Sequence, residues 1–258
     1  MTRYLELPDE LKKFIYRSTS SYPKMIEEIK HEWGRTIAKS TISYHKKRSP
    51  FRSRFYNAAG TDHDVSRLTE WEKGYIVGFF AGDGSTCKSS RYVRIVKFYL
   101  NAQRECLLAR HLADILQKAN LRPRLILPSG KKVLIVEADS KALYGMICRY
   151  LYWEDHQKTY TVSLRSTQLP PRFIEGLIGG LADSDGGAEG SNRWYQFASV
   201  SKKLIEQLYQ ILVSLELRAK TRTYIPKRKN RVPIHFVRIP TKEAERFSIK
   251  LNLITNHN

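Results

Sequence analysis

The feature that most constrains this chain is a pair of glycine-rich segments that end in the same dipeptide. Residues 74–84 are GYIVGFFAGDG, and residues 176–186 are GLIGGLADSDG. Small residues occupy every fourth position of both segments: Gly74, Gly78 and Gly82 in the first, and Gly176, Gly180 and Ser184 in the second. This spacing predicts two helices, each with small side chains along one face, and such strips allow two helix backbones to approach closely.

The paired helices would also bring two carboxylates together. If the strips face each other, Asp83 and Asp185 meet at the same end of the pair. Two facing carboxylates repel unless a cation lies between them, and their oxygens suit a hard divalent ion such as Mg²⁺. Each Asp alone is typical of an ordinary Asp-Gly turn. The matching strips favour the metal site, because a glycine inside a helix costs roughly 1 kcal/mol and needs a packing reason.

The two segments open two copies of one longer pattern. From residue 68, a helix, strands, a helix, a hairpin and a helix follow in order, and the series recurs about a hundred residues later. Gln168-Leu169-Pro170-Pro171 separates the copies, because proline cannot continue a helix. We therefore predict an α+β chain with halves at residues 68–168 and 169–258.

The net charge indicates a polyanionic partner. The 258 residues include 45 Lys plus Arg against 25 Asp plus Glu, which gives a formal charge of +20. No stretch approaches the roughly 20 apolar residues of a membrane-spanning helix, which favours nucleic acid over a membrane. The three scattered cysteines indicate neither a zinc site nor a disulfide framework, and no apolar signal segment begins the chain. We expect an intracellular protein, in the cytoplasm or on the nucleoid.

Residues 1–60 are predicted to form a separate helical region, with helices at 9–17, 23–33 and 40–47. The spacing resembles a helix-turn-helix, whose second helix enters the major groove of DNA. In that case Lys46, Lys47 and Arg48 would contact DNA. An ordinary three-helix appendage explains the pattern equally well.

The two glycine-rich segments resemble the paired motifs of LAGLIDADG homing endonucleases, and the repeat covers about 190 of the 258 residues. The resemblance implies two pseudo-symmetric αββαββα halves, whose motif helices form the interface and whose antiparallel sheets lie on DNA. It implies Asp83 and Asp185 as metal ligands, with the carbonyls of Gly82 and Ser184 as additional ligands. Ala81 replaces the first acid of the family motif, whereas Asp183 retains it.

The resemblance further implies a monomeric, intron-encoded type of enzyme that cuts both strands of a long, specific double-stranded DNA target. The cofactor would be Mg²⁺, with Mn²⁺ as a substitute. Lys158 matches the position of a lysine that family members place near the metals, although a phosphate contact or a surface role also fits. Asn101 and Ser201 stand where side chains that order water are expected. The projected counterpart of Lys158 lies beyond residue 258, so we expect the groups around the metals to be asymmetric.

Basic residues on the strands and hairpins would bind the DNA, some through phosphates and others through guanine bases. Those predicted in the first half are Lys88, Arg91, Arg94, Lys97, Arg122, Arg124, Lys131 and Lys132. Those predicted in the second half are Arg218, Lys220, Arg222, Lys227, Arg228, Lys229, Arg231 and Arg238. An ordinary solvated surface would have acids among them, and residues 218–238 have none.

Two other functions are compatible with the same fold. One is a maturase that binds intron RNA, and the other is a DNA-binding protein without catalysis. Loss of the motif acids would be their simplest sign, so the presence of Asp83 and Asp185 favours the nuclease. The terminal His257-Asn258 is reminiscent of an intein, but Met1 stands where an intein needs a nucleophile.

Overall fold

A computed structural model describes residues 7–17, 21–48, 63–88, 94–188, 194–226 and 232–247. The chain divides into two compact units, residues 1–62 and 63–258. No helix in the described part of the chain is both long enough and apolar enough to cross a membrane.

The first unit contains three helices around a small apolar core, as predicted. They are α1 (Asp9–Arg17), α2 (Tyr22–Trp33) and α3 (Lys39–Arg48). Gly34 ends α2 with a φ of 63°, which glycine adopts without the steric penalty of a Cβ. The core residues include Leu11, Ile15, Met25, Ile29 and Ile42. The side chains of Lys46, Lys47 and Arg48 lie outside the described residues, so their predicted DNA contact stays a prediction.

The second unit consists of two αββαββα halves, which confirms the predicted fold class. The elements of the first half are α4 (Glu70–Asp83), β1 (Gly84–Lys88), β2 (Arg94–Asn101), α5 (Cys106–Lys118), β3 (Arg124–Ile126), β4 (Val133–Asp139) and α6 (Lys141–Tyr150). The short elements β5 (Leu151–Tyr152), α7 (Lys158–Thr161) and β6 (Ser163–Leu164) form the connection to the second half.

The second half repeats the order of the first. Its elements are α8 (Pro171–Asp185), β7 (Gly186–Ala188), β8 (Trp194–Ser199), α9 (Lys202–Ser214), β9 (Lys220–Tyr224), β10 (Ile234–Pro240) and α10 (Thr241–Ala244). Helix α8 begins at Pro171, where the missing N–H of proline costs no helical hydrogen bond. The predicted connector thus also starts the second motif helix.

Each half has one four-stranded antiparallel sheet. The strand orders are β1-β2-β4-β3 and β7-β8-β10-β9. Side chains alternate along β2, so that Val96, Phe98 and Leu100 are buried while Lys97 and Tyr99 lie on the opposite face. Each sheet therefore has one face in the core and an outer face that is available to a ligand.

The two motif helices pack along their small-residue strips. A Cβ on Gly78 would overlap the carbonyl oxygen of Leu177, and a Cβ on Gly180 would overlap that of Tyr75. Gly74 and Gly176 face Phe173 and Trp71 in the same way. Helices α4 and α8 therefore meet backbone against backbone, as the spacing predicted.

The start of α4 is fixed by a reciprocal cap. The hydroxyl of Thr69 accepts a hydrogen bond of 3.2 Å from the N–H of Glu72, and the Glu72 carboxylate accepts one of 2.9 Å from the N–H of Thr69. These bonds satisfy N–H groups that have no partner within the helix. The cap sets where α4 begins and thus helps to place Asp83 at its other end.

We expect Gly78→Ala to lower the free energy of unfolding by about 1–3 kcal/mol, because the added methyl group meets a backbone carbonyl that cannot move away independently. Gly145→Ala is the matched control. Gly145 lies inside α6, and a Cβ there meets nothing within 4 Å, so the substitution should stabilise the helix by up to about 1 kcal/mol. Urea unfolding of the two variants tests this, and equal effects would contradict the close packing.

Candidate active site

Two carboxylates converge where the motif helices end. Asp83 and Asp185 are the last residues of α4 and α8, and the glycine after each begins a strand. At this end of the interface, a Cβ built on Gly82 would lie 3.0 Å from the carboxyl carbon of Asp185. The small residue at position 82 thus leaves space for the acid of the other half.

Ionisation of Asp185 is unfavourable in this position. Burial raises the pKa of Asp185 to about 6, with a further rise from the negative charge of Asp83 and a partial offset from Lys158. Desolvation and a like charge both disfavour ionisation of an acid. The site therefore favours a cation that compensates both carboxylates.

Lys158 is the third charged group of the site. Its Nζ donates a hydrogen bond of 2.8 Å to the carbonyl oxygen of Gly82 and lies 5.1 Å from the centroid of the Phe80 ring. Burial lowers the pKa of Lys158 to about 8, although Asp185 and Asp83 act in the opposite direction. The lysine selected from the sequence thus lies beside both acids.

The hydrogen bond from Lys158 bears on one of the expected metal ligands. The Gly82 carbonyl already accepts a hydrogen bond from the ammonium group. A carbonyl oxygen has two lone pairs, so a metal ion there would share this oxygen with Lys158 or displace it. A metal ion bound by the carbonyl of Gly82 would therefore compete with Lys158 for this oxygen.

The available donors suit a hard divalent ion. In the part of the chain that the structure describes, no group of three or more His, Cys, Asp and Glu side chains could hold a metal. Two carboxylates together with main-chain carbonyls remain. Mg²⁺ is often held by only one or two carboxylates and completes its coordination with water and substrate phosphate. The pair Asp83 and Asp185 fits this mode and does not fit a closed structural metal site.

A buried hydrogen bond near the site was not predicted from the sequence. The hydroxyl of Tyr75 on α4 donates 2.8 Å to the carboxylate of Asp183 on α8. Burial, and then the charge of Asp183, raise the pKa of Tyr75 well above its ordinary value, so the phenol keeps its proton. The first acid of the second motif therefore links the two helices. A buried acid in an apolar helix needs a hydrogen-bonding partner, so the sequence could have indicated that Asp183 has one.

The two predicted water-ordering residues, Ser201 and Asn101, both form hydrogen bonds within the chain. Ser201 is buried, donates 2.6 Å to the carbonyl of Val162 and caps α9 by accepting from the N–H of Leu204. The side-chain oxygen of Asn101 accepts from the N–H groups of Gln103 and Arg104. Asn101 also lies three residues beyond Phe98, the partner of Gly84, which is roughly 10 Å along the strand. Ser201 is therefore corrected to a buried cap, because its hydroxyl is already bonded, whereas the role of Asn101 in ordering water stays a prediction.

The predicted DNA-binding residues of the first half whose side chains are described divide into three groups. Lys97 and Arg124 lie on the outer face of the sheet. Arg122, Lys131 and Lys132 are exposed in the loops before and after β3. Arg94 belongs to the inner side, where its guanidinium lies 4.7 Å from the centroid of the Tyr144 ring. Its assignment to the DNA face is corrected, because alternation along β2 turns it toward α6.

In the second half, Lys220, Arg222 and Arg238 lie on the outer face of the sheet. Arg218 is exposed and pairs with Glu243 at 3.3 Å, which reduces its availability to DNA. Five further predicted residues lie outside the described residues: Arg91, Lys227, Arg228, Lys229 and Arg231. The side chain of Lys88 is not described either.

Comparison with known proteins supports the same fold. Residues 172–252 match a family described as a LAGLIDADG-like domain. A solved structure of a variant of the homing endonuclease I-DmoI, in complex with its target DNA and in the presence of manganese, is similar with a TM-score of 0.50 and 17% identity. The match covers 69% of this chain and 91% of that chain.

Two further solved structures show weaker similarity. The homing endonuclease I-WcaI bound to its DNA recognition sequence has 19% identity and a TM-score of 0.45, over 70% of this chain and 80% of that chain. Full-length DUF199/WhiA from Thermatoga maritima has 14% identity and a TM-score of 0.47, over 74% of this chain and 60% of that chain. No curated protein matches the sequence significantly.

The fold and the motif helices define a class: a single chain with two pseudo-symmetric halves, joined through a pair of glycine-rich helices, the second of which lies within the LAGLIDADG-like match. The predicted resemblance to the double-motif LAGLIDADG homing endonucleases is thereby confirmed, and the chain has their fold.

We expect Asp185→Asn to stabilise the metal-free protein. An acid whose folded pKa is raised destabilises the fold at every pH above that value, and the penalty disappears as the pH falls from about 6 to below 3.8. At pH 7 the substitution should raise the free energy of unfolding by ~2 kcal/mol.

Denaturant unfolding in EDTA measures this change. Asp114→Asn, which removes an exposed carboxylate on α5, should have little effect. A loss of stability in Asp185→Asn would show that the carboxylate is compensated without metal.

Proposed function

We propose that the chain is a divalent-metal-dependent endonuclease that cuts both strands of a long, specific DNA target as a monomer. The observation that carries this proposal is the convergence of Asp83 and Asp185 at a backbone-to-backbone helix interface. Burial and the charge of Asp83 raise the pKa of Asp185, and a bound cation would offset both effects.

The charge of the chain supports DNA as the substrate. The formal charge of +20 attracts a polyanion from a distance, and both outer sheet faces present cations at regular strand spacing. Two four-stranded sheets in one chain favour a long recognition site over a single nucleotide.

Asp83 and Asp185, together with the carbonyls of Gly82 and Ser184, would hold the ions. Bound Mg²⁺, or Mn²⁺ as a substitute, would stabilise the attacking and leaving oxygens of the phosphodiester and supply the water nucleophile. The chain itself contributes the positions of the two carboxylates. Lys158 keeps a proton on Nζ beside them and so adds positive charge where the phosphate becomes more negative in the transition state.

Lys158 gives the site an asymmetry. It comes from the connection between the halves and donates to Gly82 of the first motif. The two scissile phosphates would therefore have different surroundings, and the two strands would be nicked at different rates.

The alternatives are a maturase that binds intron RNA and a DNA-binding protein without catalysis. A chain that never binds metal would gain stability by losing one of the two acids. Retention of both at the helix ends therefore favours the nuclease.

We expect discrete double-strand cuts when the chain is incubated with a randomised DNA library and Mg²⁺, because a long recognition surface selects few sequences. Asp83→Asn and Asp185→Asn should each reduce cutting by at least about 10³-fold, since each removes a charged ligand. Sequencing of the cut ends measures both properties.

Lys158→Met should reduce the rate by about 10²-fold while leaving the cut position unchanged, because the metal ligands remain. The matched control is Lys141→Met, an exposed lysine at the start of α6. If cuts never appear, or if they survive both Asn substitutions, the proposal is wrong.

We further expect removal of residues 1–60 to weaken DNA binding if the first unit adds contacts, as a helix-turn-helix would. Affinity and the length of the protected DNA are measured by footprinting in Ca²⁺. Unchanged affinity and an unchanged footprint would assign the three helices a role other than DNA binding.

A further inference from the structure

Lys158 reaches the candidate active site from a short connection with little regular structure of its own. Helix α7 has four residues, and the sheet of β5 and β6 has two strands. A helix of one turn is not stable by itself, because nucleation costs more than one turn of hydrogen bonds returns. The contacts that hold this connection therefore decide where Nζ of Lys158 lies.

Gln207 of α9 holds the strand that follows α7. Its Oε1 accepts a hydrogen bond of 2.8 Å from the N–H of Leu164, and its Nε2 donates one of 2.8 Å to the carbonyl of the same residue. Leu164 is buried, so water does not readily replace these two bonds. Strand β5 pairs with the other edge of β6, and the side-chain amide of Gln207 thus takes the place of a third strand.

Ser201, at the start of α9, holds the residue between α7 and β6. Its buried hydroxyl donates a hydrogen bond of 2.6 Å to the carbonyl of Val162. The N–H of Val162 in turn donates one of 2.9 Å to the carbonyl of Lys158. The bonds from Ser201 and Gln207 to Val162 and Leu164, here called the α9 clamp, therefore begin one helical turn from Lys158.

The other side of the connection packs on the first half. Trp153, which precedes α7, has its ring centroid 5.4 Å from that of Phe80 on α4. The ring of Phe80 is also the ring beside Nζ of Lys158. Helix α7 is therefore held by apolar contacts with the first motif helix and by hydrogen bonds from the second half.

The residue of the first half that corresponds to Gln207 makes a different contact. The buried leucines of the two helices share one spacing: Leu108, Leu112 and Leu116 in α5, and Leu204, Leu208 and Leu212 in α9. Gln207 therefore corresponds to His111, whose ring centroid lies 5.8 Å from that of Tyr75. The repeated fold does not require a glutamine at this position, and the connection is what Gln207 serves.

We propose, building on the proposed nuclease function, that Gln207 and Ser201 are positioning residues for Lys158. Through Leu164 and Val162 they fix α7, so that Nζ of Lys158 stays at the carbonyl of Gly82 and beside the two acids. A displacement of about 1 Å in a group that acts on the transition state can reduce a rate by about 10²-fold. The second half thereby controls a group that acts at the first motif.

Gln207→Met removes both hydrogen bonds to Leu164 and keeps an unbranched side chain of similar length. The matched control is Gln210→Met, which changes an exposed glutamine on the same helix. The rate of cutting in Mg²⁺ is measured on a target selected from the randomised library, for each variant alone and combined with Lys158→Met. Changes that act through one group are non-additive, whereas independent effects add.

We expect Gln207→Met to reduce the rate about 10-fold and to leave affinity for the target in Ca²⁺ unchanged. In the Lys158→Met background the same change should reduce the rate less than about 2-fold, because the group that it displaces is already absent. Gln210→Met should change neither rate. An equal reduction by Gln207→Met in both backgrounds would overturn the proposal.

Amide hydrogen exchange tests the α9 clamp without metal or DNA. The N–H groups of Leu164 and Val162 should exchange at least about 10-fold faster in Gln207→Met than in Gln210→Met, because the segment opens locally. Unchanged exchange, or faster exchange with an unchanged rate of cutting, would contradict the proposal.

Ser201→Ala gives a second, independent result if Gln207→Met does not fold. It removes the bond to Val162 and should show the same dependence on Lys158. Equal effects of Ser201→Ala in the presence and absence of Lys158 would count against the proposal in the same way. Failure of the unsubstituted chain to cut any DNA would instead overturn the proposed function, and the exchange rates would still show whether α9 holds the connection.

Discussion

Helices α4 and α8 can pair only because backbone meets backbone at four glycines, two on each helix. A larger residue at Gly78 or Gly180 would separate the helices and with them the two acids at their ends. The glycines lower the helical propensity of both segments, and the cap at Thr69 and the proline at the start of α8 act against this loss. The rest of the second unit depends on this contact, because each motif helix packs against the sheet of its own half.

The same close approach creates an electrostatic problem. Burial raises the pKa of Asp185 beside Asp83 and lowers the pKa of Lys158 to about 8. The charged forms of both side chains are therefore disfavoured. Functional sites commonly combine burial with like charges in this way. Asp183 differs from the two acids at the helix ends. Its buried carboxylate accepts a hydrogen bond from the hydroxyl of Tyr75. Asp183 thus stabilises the interface. Asp185 destabilises it when no cation is bound.

The sequence allowed the helix pair, the connector and the convergence of Asp83 and Asp185 to be predicted, because periodicity and proline act locally. Lys158 was found through the family resemblance and not through spacing. Ser201 was misassigned, since its buried hydroxyl caps a helix and donates to a main-chain carbonyl. Tyr75 and Asp183 are 108 residues apart, and only the fold brings them together.

The central claim is that Asp83 and Asp185 form one cation site. Electron paramagnetic resonance of Mn²⁺ titrated into the DNA-bound protein tests this directly, because free and bound Mn²⁺ give distinct signals. Saturable binding that is lost when both acids are replaced by Asn is the predicted result. Binding that is absent from the unsubstituted protein, or unchanged by the double substitution, would contradict the account.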